Sequence, residues 1–204
     1  DRHVGYANEE NRQAWKTIID KLMPSYVGES GTVVCAQPSF TVCYMNKTYP
    51  DELRKVWRQL IDVKSDKREH LYDIVNVGRQ VLGDFFQHEL QSLHKAYEAR
   101  QLDSIDYYSK RMEDMLDDLV DLLACNEEFS LEKWVSDARG FGTTLEEKDY
   151  YERNARAIIT IWGDSRHLTD YANRTWSGLV SSYYKKRWQI FIDHVRKAVE
   201  SNKA

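Results

Sequence analysis

The stretch Asp66–Tyr97, DKREHLYDIVNVGRQVLGDFFQHELQSLHKAY, decides the fold. Leu71, Ile74, Val75, Val81, Leu82, Phe85, Phe86, Leu90, Leu93 and Tyr97 recur there at three- and four-residue steps, the period of one helix face. No proline interrupts it. Asp66, with Glu69 three residues on, supplies a capping pattern at its start. Roughly thirty residues at 1.5 Å each make a rod long enough to be the spine of a bundle.

Downstream, Leu102 and Asp103 are read as the turn into a second rod. Its apolar stripe is Ile105, Tyr108, Met112, Met115, Leu116, Leu119, Val120 and Leu123. A connection this short makes the two rods antiparallel neighbours. Ser130 caps a short helix ending near Gly140, and Thr144 with Glu147 forms a capping box for a helix reaching Ile161 and Trp162, with Gly163 as its stop. Residues 168–183 and 184–199 complete the chain as two helices or one bent helix. Upstream, a helix runs over 8–23 until Pro24, and another opens near Pro50, where a first-turn proline is tolerated. Between them, residues 26–48 have no clean helical period and read as one long ordered loop with room for a short strand pair. The expected fold is all-α: an irregular multi-helix bundle with a long antiparallel helix pair and one long ordered loop, filling residues 1–204 as one domain.

Composition agrees with a packed domain. Of 204 residues, 42% are hydrophobic and 30% charged, with only 3 prolines and 9 glycines, which argues against disorder and favours helices over a turn-rich sandwich. The net charge of -4 gives no electrostatic footprint for nucleic acid. The cluster Lys185, Lys186 and Arg187 reads as a solvated helix face. No apolar run is long enough for membrane insertion. The chain opens at Asp1 without a methionine or signal peptide, so a piece of something longer is expected. Cys35, Cys43 and Cys125 contain no CxxC pair; Cys35 and Cys43 are either bridged or two separate thiols.

Candidate chemistry is sparse. Glu9/Glu10, Glu127/Glu128 and Glu146/Glu147 sit near helix starts, where carboxylates complement the helix dipole, and Asp117/Asp118 lie on a solvated face. His88 and His94 fall on different faces of one helix, and no histidine has a partner at ligand spacing, so neither a metal nor a cofactor is expected. Two sequons, at Asn46 and Asn173, carry no inference of glycosylation, the second because it falls in an expected helix. The aromatic density from Asn154 to Phe191 is different. Trp162, Tyr171, Trp176, Tyr183, Tyr184, Trp188 and Phe191 crowd there, and ring faces suit the C–H groups of a sugar. Trp176, Leu179, Val180, Tyr183 and Tyr184 fall at helical steps and read as core. Trp162, at a helix end beside a polar loop, stays open between core and sugar contact.

Five blocks in order carry a resemblance: Asn154-Ala155-Arg156, Ile161-Trp162-Gly163, Asp170-Tyr171-Ala172-Asn173, Ser177-Gly178-Leu179-Val180, and Tyr183-Tyr184 followed by Arg187-Trp188. The chain resembles the C-terminal helical domain of α-N-acetylglucosaminidases, glycoside hydrolase family 89. Weaker likeness at Trp15, Pro38-Ser39, Tyr72-Asp73, Arg79-Gln80, Trp134 and Ala138-Arg139 extends it over nearly the whole chain. Gln37 and Lys186 depart from the family pattern, where arginine and proline are expected. The resemblance implies a parent enzyme that removes terminal α-linked N-acetylglucosamine from glycans with retention of configuration. It further implies two glutamates on a (β/α)8 barrel, with carboxyl groups about 5–5.5 Å apart. No position here matches either glutamate motif, so the catalytic residues are expected upstream and this fragment alone is expected to be inactive. The expected partners are the enzyme's own barrel and a glycan ending in α-N-acetylglucosamine. A secreted, periplasmic or lysosomal location goes with the family. Trp162 and Tyr171 are the candidate substrate-binding residues, as part of the pocket wall. Two other readings use different features: a protein-interaction module would use the acidic face Glu113, Asp114, Asp117, Asp118 and Asp121, and a free-standing sugar-binding module would need affinity without the barrel.

Overall fold

The computed structural model describes residues 1–25, 32–42, 50–162 and 168–201. Its helices in chain order are α1 (Glu9–Thr17), α2 (Pro50–Asp62), α3 (Arg68–Glu98), α4 (Leu102–Ala124), α5 (Leu131–Arg139), α6 (Leu145–Ile158), α7 (Ser177–Leu179) and α8 (Lys185–Glu200). Among the described residues there is no strand, and no helix is long and apolar enough to cross a membrane. The fold is all-α, as its periodicity requires.

The long pair α3 and α4 forms the frame. The turn between them comes earlier than Leu102–Asp103, which already belong to α4. Arg100, at φ 54°, reverses the chain, and the N–H of Gln101 donates to Ala96 O at 3.0 Å, so the reversal uses the left-handed residue common at helix ends. The start of α3 also differs from expectation. Lys67 is the capping position and provides no side-chain cap; Asp66 lies one residue too early, while the Ser65 hydroxyl accepts from Lys67 N–H at 3.2 Å.

Two apolar cores share α3. One gathers Val75, Phe86, Leu90 and Leu93 with Ile105, Met112, Leu116, Leu119 and Leu123 of α4, Leu131 and Val135 of α5, and the stripe from Leu179 to Val199. The other packs Val77 and Val81 against Ala14, Ile18 and Leu22 and against Leu53, Val56 and Leu60 of α2. Each fully buried Leu, Ile or Phe side chain stabilises by about 1.5–3 kcal/mol in transfer terms. Because both sides of α3 are covered, polar residues are enclosed with it. Glu89 accepts from Arg111 at 2.6 Å, and Gln80 donates to Asp84 at 2.8 Å. Gly78 lets α2 and α4 approach together: a Cβ there would lie 2.7 Å from the Trp57 ring and 2.8 Å from Leu122.

Both terminal helices contain a wide turn. α1 continues into a π segment (Ile18–Leu22) and a short 3-10 turn (Met23–Ser25) around Pro24. α7, a second π segment (Val180–Tyr184) and α8 likewise run end to end. The buried stripes explain why. Ala14, Ile18 and Leu22 are spaced by four, as are Val180, Tyr184 and Trp188. Each four-residue step overshoots a 3.6-residue turn by about 40°. A turn closed from i to i+5, as by Met23 N–H to Ile18 O and Lys185 N–H to Val180 O, takes that drift back.

Local capping follows the sequence elsewhere. The Ser130 hydroxyl accepts from Lys133 N–H at 3.2 Å, and α5 closes at Gly140. Thr144 and Glu147 form a full capping box, in which the Glu147 carboxylate also accepts from Thr143 N–H at 2.7 Å. The Thr143 hydroxyl and then these backbone N–H groups hold the Glu147 carboxyl below its ordinary range. Thr144→Ala is expected to cost ~1 kcal/mol in thermal unfolding, through the lost cap alone. A change below a few tenths would mean that α6 does not depend on it.

In the long loop, residues 32–42 carry a 3-10 turn (Val33–Cys35), buried against α3 and α8. The strand pair considered for 26–48 is absent from 32–42, and the remainder lies outside the described residues. So do Cys43, Gly163, His167 and the Asn46 sequon.

Candidate functional site

Helix α6 ends at Ile158, four residues before Trp162 and not at it. The chain then tightens. Thr160 N–H donates to Ala157 O at 3.2 Å, and Trp162 N–H reaches back to the same carbonyl at 2.7 Å. Trp162 itself, at φ 50°, takes the left-handed conformation that Gly163 was expected to supply. A bulky residue gains nothing sterically from that region, so this backbone is held by its surroundings and presents the indole outward.

The return segment is not helical. Residues 168–176, expected as the first turns of the next helix, form turns and extended chain, and the helix begins at Ser177. Two more left-handed residues, Asp170 (φ 63°) and Asn173 (φ 47°), break it. Both types bear this conformation better than most. Asp170 N–H donates to Thr160 O at 2.7 Å, tying the return segment to the end of α6. Trp162 and Tyr171 are thereby brought together, ring centroids 5.6 Å apart and planes at 71°. Trp162 is 38% exposed and Tyr171 68%.

They open onto a cavity of about 330 Å³ lined also by Trp134, Ile158, Ile159, Ala172, Arg174 and Trp176. Trp134 donates its indole N–H to Ala155 O at 3.0 Å and stands 5.6 Å from the Trp176 ring, while the Arg174 guanidinium lies 5.9 Å from the same ring. Three indoles, a phenol and one cation around an apolar floor suit a small amphipathic ligand whose C–H faces meet rings and whose hydroxyls meet polar edges. A larger groove, about 720 Å³, runs between the N-terminal segment and the α2–α3 connection, but Tyr6 and His70 are its only rings.

Beneath the cavity lies a buried polar node. Arg187 donates to Asp170 Oδ2 at 2.7 Å and to Ala36 O at 2.9 Å, and its guanidinium sits 4.9 Å from the Tyr183 ring centroid. The neighbouring Trp188 indole donates to Val34 O at 3.0 Å, and Cys35 Sγ meets Thr175 Oγ1 at 3.1 Å. Burial pushes the Cys35 thiol up to about 11, which favours its protonated form near neutral pH. Burial also raises the Asp170 carboxyl, opposed by the Arg187 charge. The cluster Lys185–Arg187 is therefore not simply a solvated face. Lys185 pairs with Asp117, and Arg187 turns inward because the carboxylate and a carbonyl converge on it.

Of the five residues read as core from their helical steps, Leu179, Val180 and Tyr184 are buried, whereas Trp176 and Tyr183 are only partly buried against that core; Trp176 precedes the helix on extended backbone and lines the cavity instead. The Asn173 sequon lies in the turn region, with Thr175 buried against Cys35. Among the described residues no three His, Cys, Asp or Glu side chains form a metal-binding group. Glu9 and Glu10 lie in the first turn of α1, Glu146 and Glu147 in that of α6, and Glu127 and Glu128 in a short 3-10 turn beside Arg68.

The chain is similar to known proteins over most of its length. The human protein described as alpha-N-acetylglucosaminidase is 25% identical over 203 residues, which cover 94% of this chain and 27% of the human one. A family 89 glycoside hydrolase from Clostridium perfringens, solved in complex with PUGNAc, superposes with a TM-score of 0.88 at 27% identity. That match covers 98% of this chain and 25% of the solved one. A Clostridium perfringens family 89 enzyme with two glutamates replaced by glutamine, solved with its substrate GlcNAc-α-1,4-galactose, superposes with a TM-score of 0.86 at 26% identity over 97% of this chain and 25% of the other. This chain therefore spans about a quarter of the length of these relatives. The family model for the alpha-N-acetylglucosaminidase (NAGLU) C-terminal domain matches residues 1–204, and the chain belongs to that family.

Proposed function

We propose that this chain is the C-terminal helical domain of a retaining glycoside hydrolase that removes terminal α-linked N-acetylglucosamine from glycans. The domain packs on a catalytic (β/α)8 barrel that lies outside residues 1–204, and Trp162 and Tyr171 wall one side of the sugar pocket. The observation that carries this reading is the solvent-facing Trp162–Tyr171 pair at the mouth of an aromatic cavity, with Trp162 itself and Asp170, just before Tyr171, on left-handed backbone. The solved relative's substrate, a GlcNAc-α-1,4-galactose, is the class of ligand such a wall suits.

The acidic face of α4 offers little support to a protein-interaction reading. Asp114 pairs with Lys110 and Asp117 with Lys185, so two of its five carboxylates are met within the chain.

The test is kinetic. In the full-length enzyme carrying this domain, Trp162→Ala and Tyr171→Ala should each raise KM for an α-N-acetylglucosaminide about tenfold, the equivalent of ~1.4 kcal/mol of lost binding. Residues 1–204 alone should release no sugar. Unchanged KM in both variants, or turnover by the isolated chain, would overturn the proposal.

A further inference from the structure

We infer that Arg187 is a positioning residue for the sugar pocket, acting through Asp170 to set the place of Tyr171; the inference rests on the pocket reading above. Arg187 lies on α8, away from the cavity lining, and its side chain is 19% exposed. Its two terminal nitrogens serve different strands of chain: Nη1 donates to Asp170 Oδ2 at 2.7 Å and Nη2 to Ala36 O at 2.9 Å. The guanidinium is also held over Tyr183 at 4.9 Å and near Tyr184 at 5.8 Å. It is fixed on several sides before it meets Asp170.

Asp170 needs such a partner. Its carboxylate is 8% exposed, so it needs a donor there, and its backbone sits at φ 63°, a left-handed conformation that aspartate bears better than most residues. The backbone N–H is held by Thr160 O at 2.7 Å and the carboxylate by Arg187, so main chain and side chain are anchored on opposite sides. Tyr171 follows directly, and the exit direction of Asp170 determines whether its ring meets Trp162 at 5.6 Å. The planar fork matters, since a lysine gathers its donors on one nitrogen and cannot reproduce two separate nitrogens, one on each acceptor. Arg187 touches no part of the cavity; it fixes the wall from behind.

The experiment uses the full-length enzyme and steady-state kinetics with an α-N-acetylglucosaminide. Arg187→Lys should raise KM about fivefold with kcat within about twofold of the parent, because a displaced wall loses binding more than chemistry. Asp170→Asn, which keeps the size of the side chain and its tolerance of left-handed backbone, should raise KM by a similar factor and serves if the arginine variant does not fold. Combining Arg187→Lys with Tyr171→Ala should raise KM no further than Tyr171→Ala alone, since both act through one ring. An ion pair that only stabilises the fold would lower the melting temperature and leave KM at the parent value, and that result would overturn the inference. Multiplying KM effects in the double variant would overturn it as well. If Tyr171→Ala and Trp162→Ala are themselves silent, the pocket reading fails first and the inference goes with it; if they raise KM while Arg187→Lys and Asp170→Asn do not, only the inference falls.

Discussion

Trp188→Ala is expected to lower the unfolding free energy of the chain by about 3–5 kcal/mol, the range for truncating a large buried aromatic residue. Trp188 is fully buried. Its ring stands edge-on to Phe86 at 5.0 Å and to Phe191 at 5.7 Å, and its indole N–H donates to Val34 O at 3.0 Å. Alanine removes that packing, opens a cavity where α3 and α8 meet, and takes away the donor that holds the 3-10 turn at Val33–Cys35. Against a typical total stability of about 5–15 kcal/mol, the loss leaves the domain marginal. Trp188→Phe separates the contributions: most of the ring remains and the hydrogen bond goes, for ~1–2 kcal/mol. Urea unfolding midpoints measure both. A loss under ~1 kcal/mol for the alanine variant would mean that this part of the core can collapse around the gap.

Gly83→Val should destabilise by ~2–3 kcal/mol by the opposite route. A Cβ at residue 83 would lie 2.2 Å from Thr32 Cγ2 and 2.5 Å from Thr32 Cβ, and Thr32 is itself buried. A clash with a Cβ cannot be relieved by rotating a side chain, so the backbone at Thr32 must move. The modest gain in helix propensity on losing a glycine is outweighed by this overpacking. Displacing Thr32 also strains the turn behind it, where Cys35 N–H donates to Thr32 O and Ala36 N–H to Val33 O. Those two amides should therefore exchange with deuterium faster than in the parent. Adding Thr32→Gly should return part of the lost stability, since the atoms in conflict are gone. Parent-like exchange at both amides would show that α3 yields instead of the loop.

The legible parts of this protein are those that depend on local repetition. The stripes of α3 and α4, the Ser130 cap and the Thr144–Glu147 box each lie within a few residues of their cause, and each is found where the sequence places it, except that Leu71 at the start of the α3 stripe is exposed and the buried Val77 lies outside it. The site is half legible. Trp162 stands apart because it sits at a helix end beside a polar loop, which leaves it open between core and sugar contact, and Tyr171 is singled out by the family resemblance alone. The manner of their meeting was not legible, because no propensity assigns a left-handed backbone to tryptophan. Arg187 was hidden for a related reason. It stands in a basic run that reads as solvated, and its partners Asp170 and Ala36 lie far off in sequence. The wide turns did leave a trace, in the unvarying four-residue spacing of Val180, Tyr184 and Trp188.

That spacing makes the effect of a lost residue depend on where it is lost. Five residues of the wide turn at 180–184 cover about the angle of four α-helical ones, so removing one there would let the rod wind normally and leave its two ends facing as before. Removing one from 185–187, where the winding is ordinary, would swing everything before the cut by about 100° and carry Trp176 and the strap with Tyr171 away from Trp134 while Trp188 and Ile192 stayed seated. The loosest-wound part of the helix is thus the one place where chain length can change without turning its buried end from its working end.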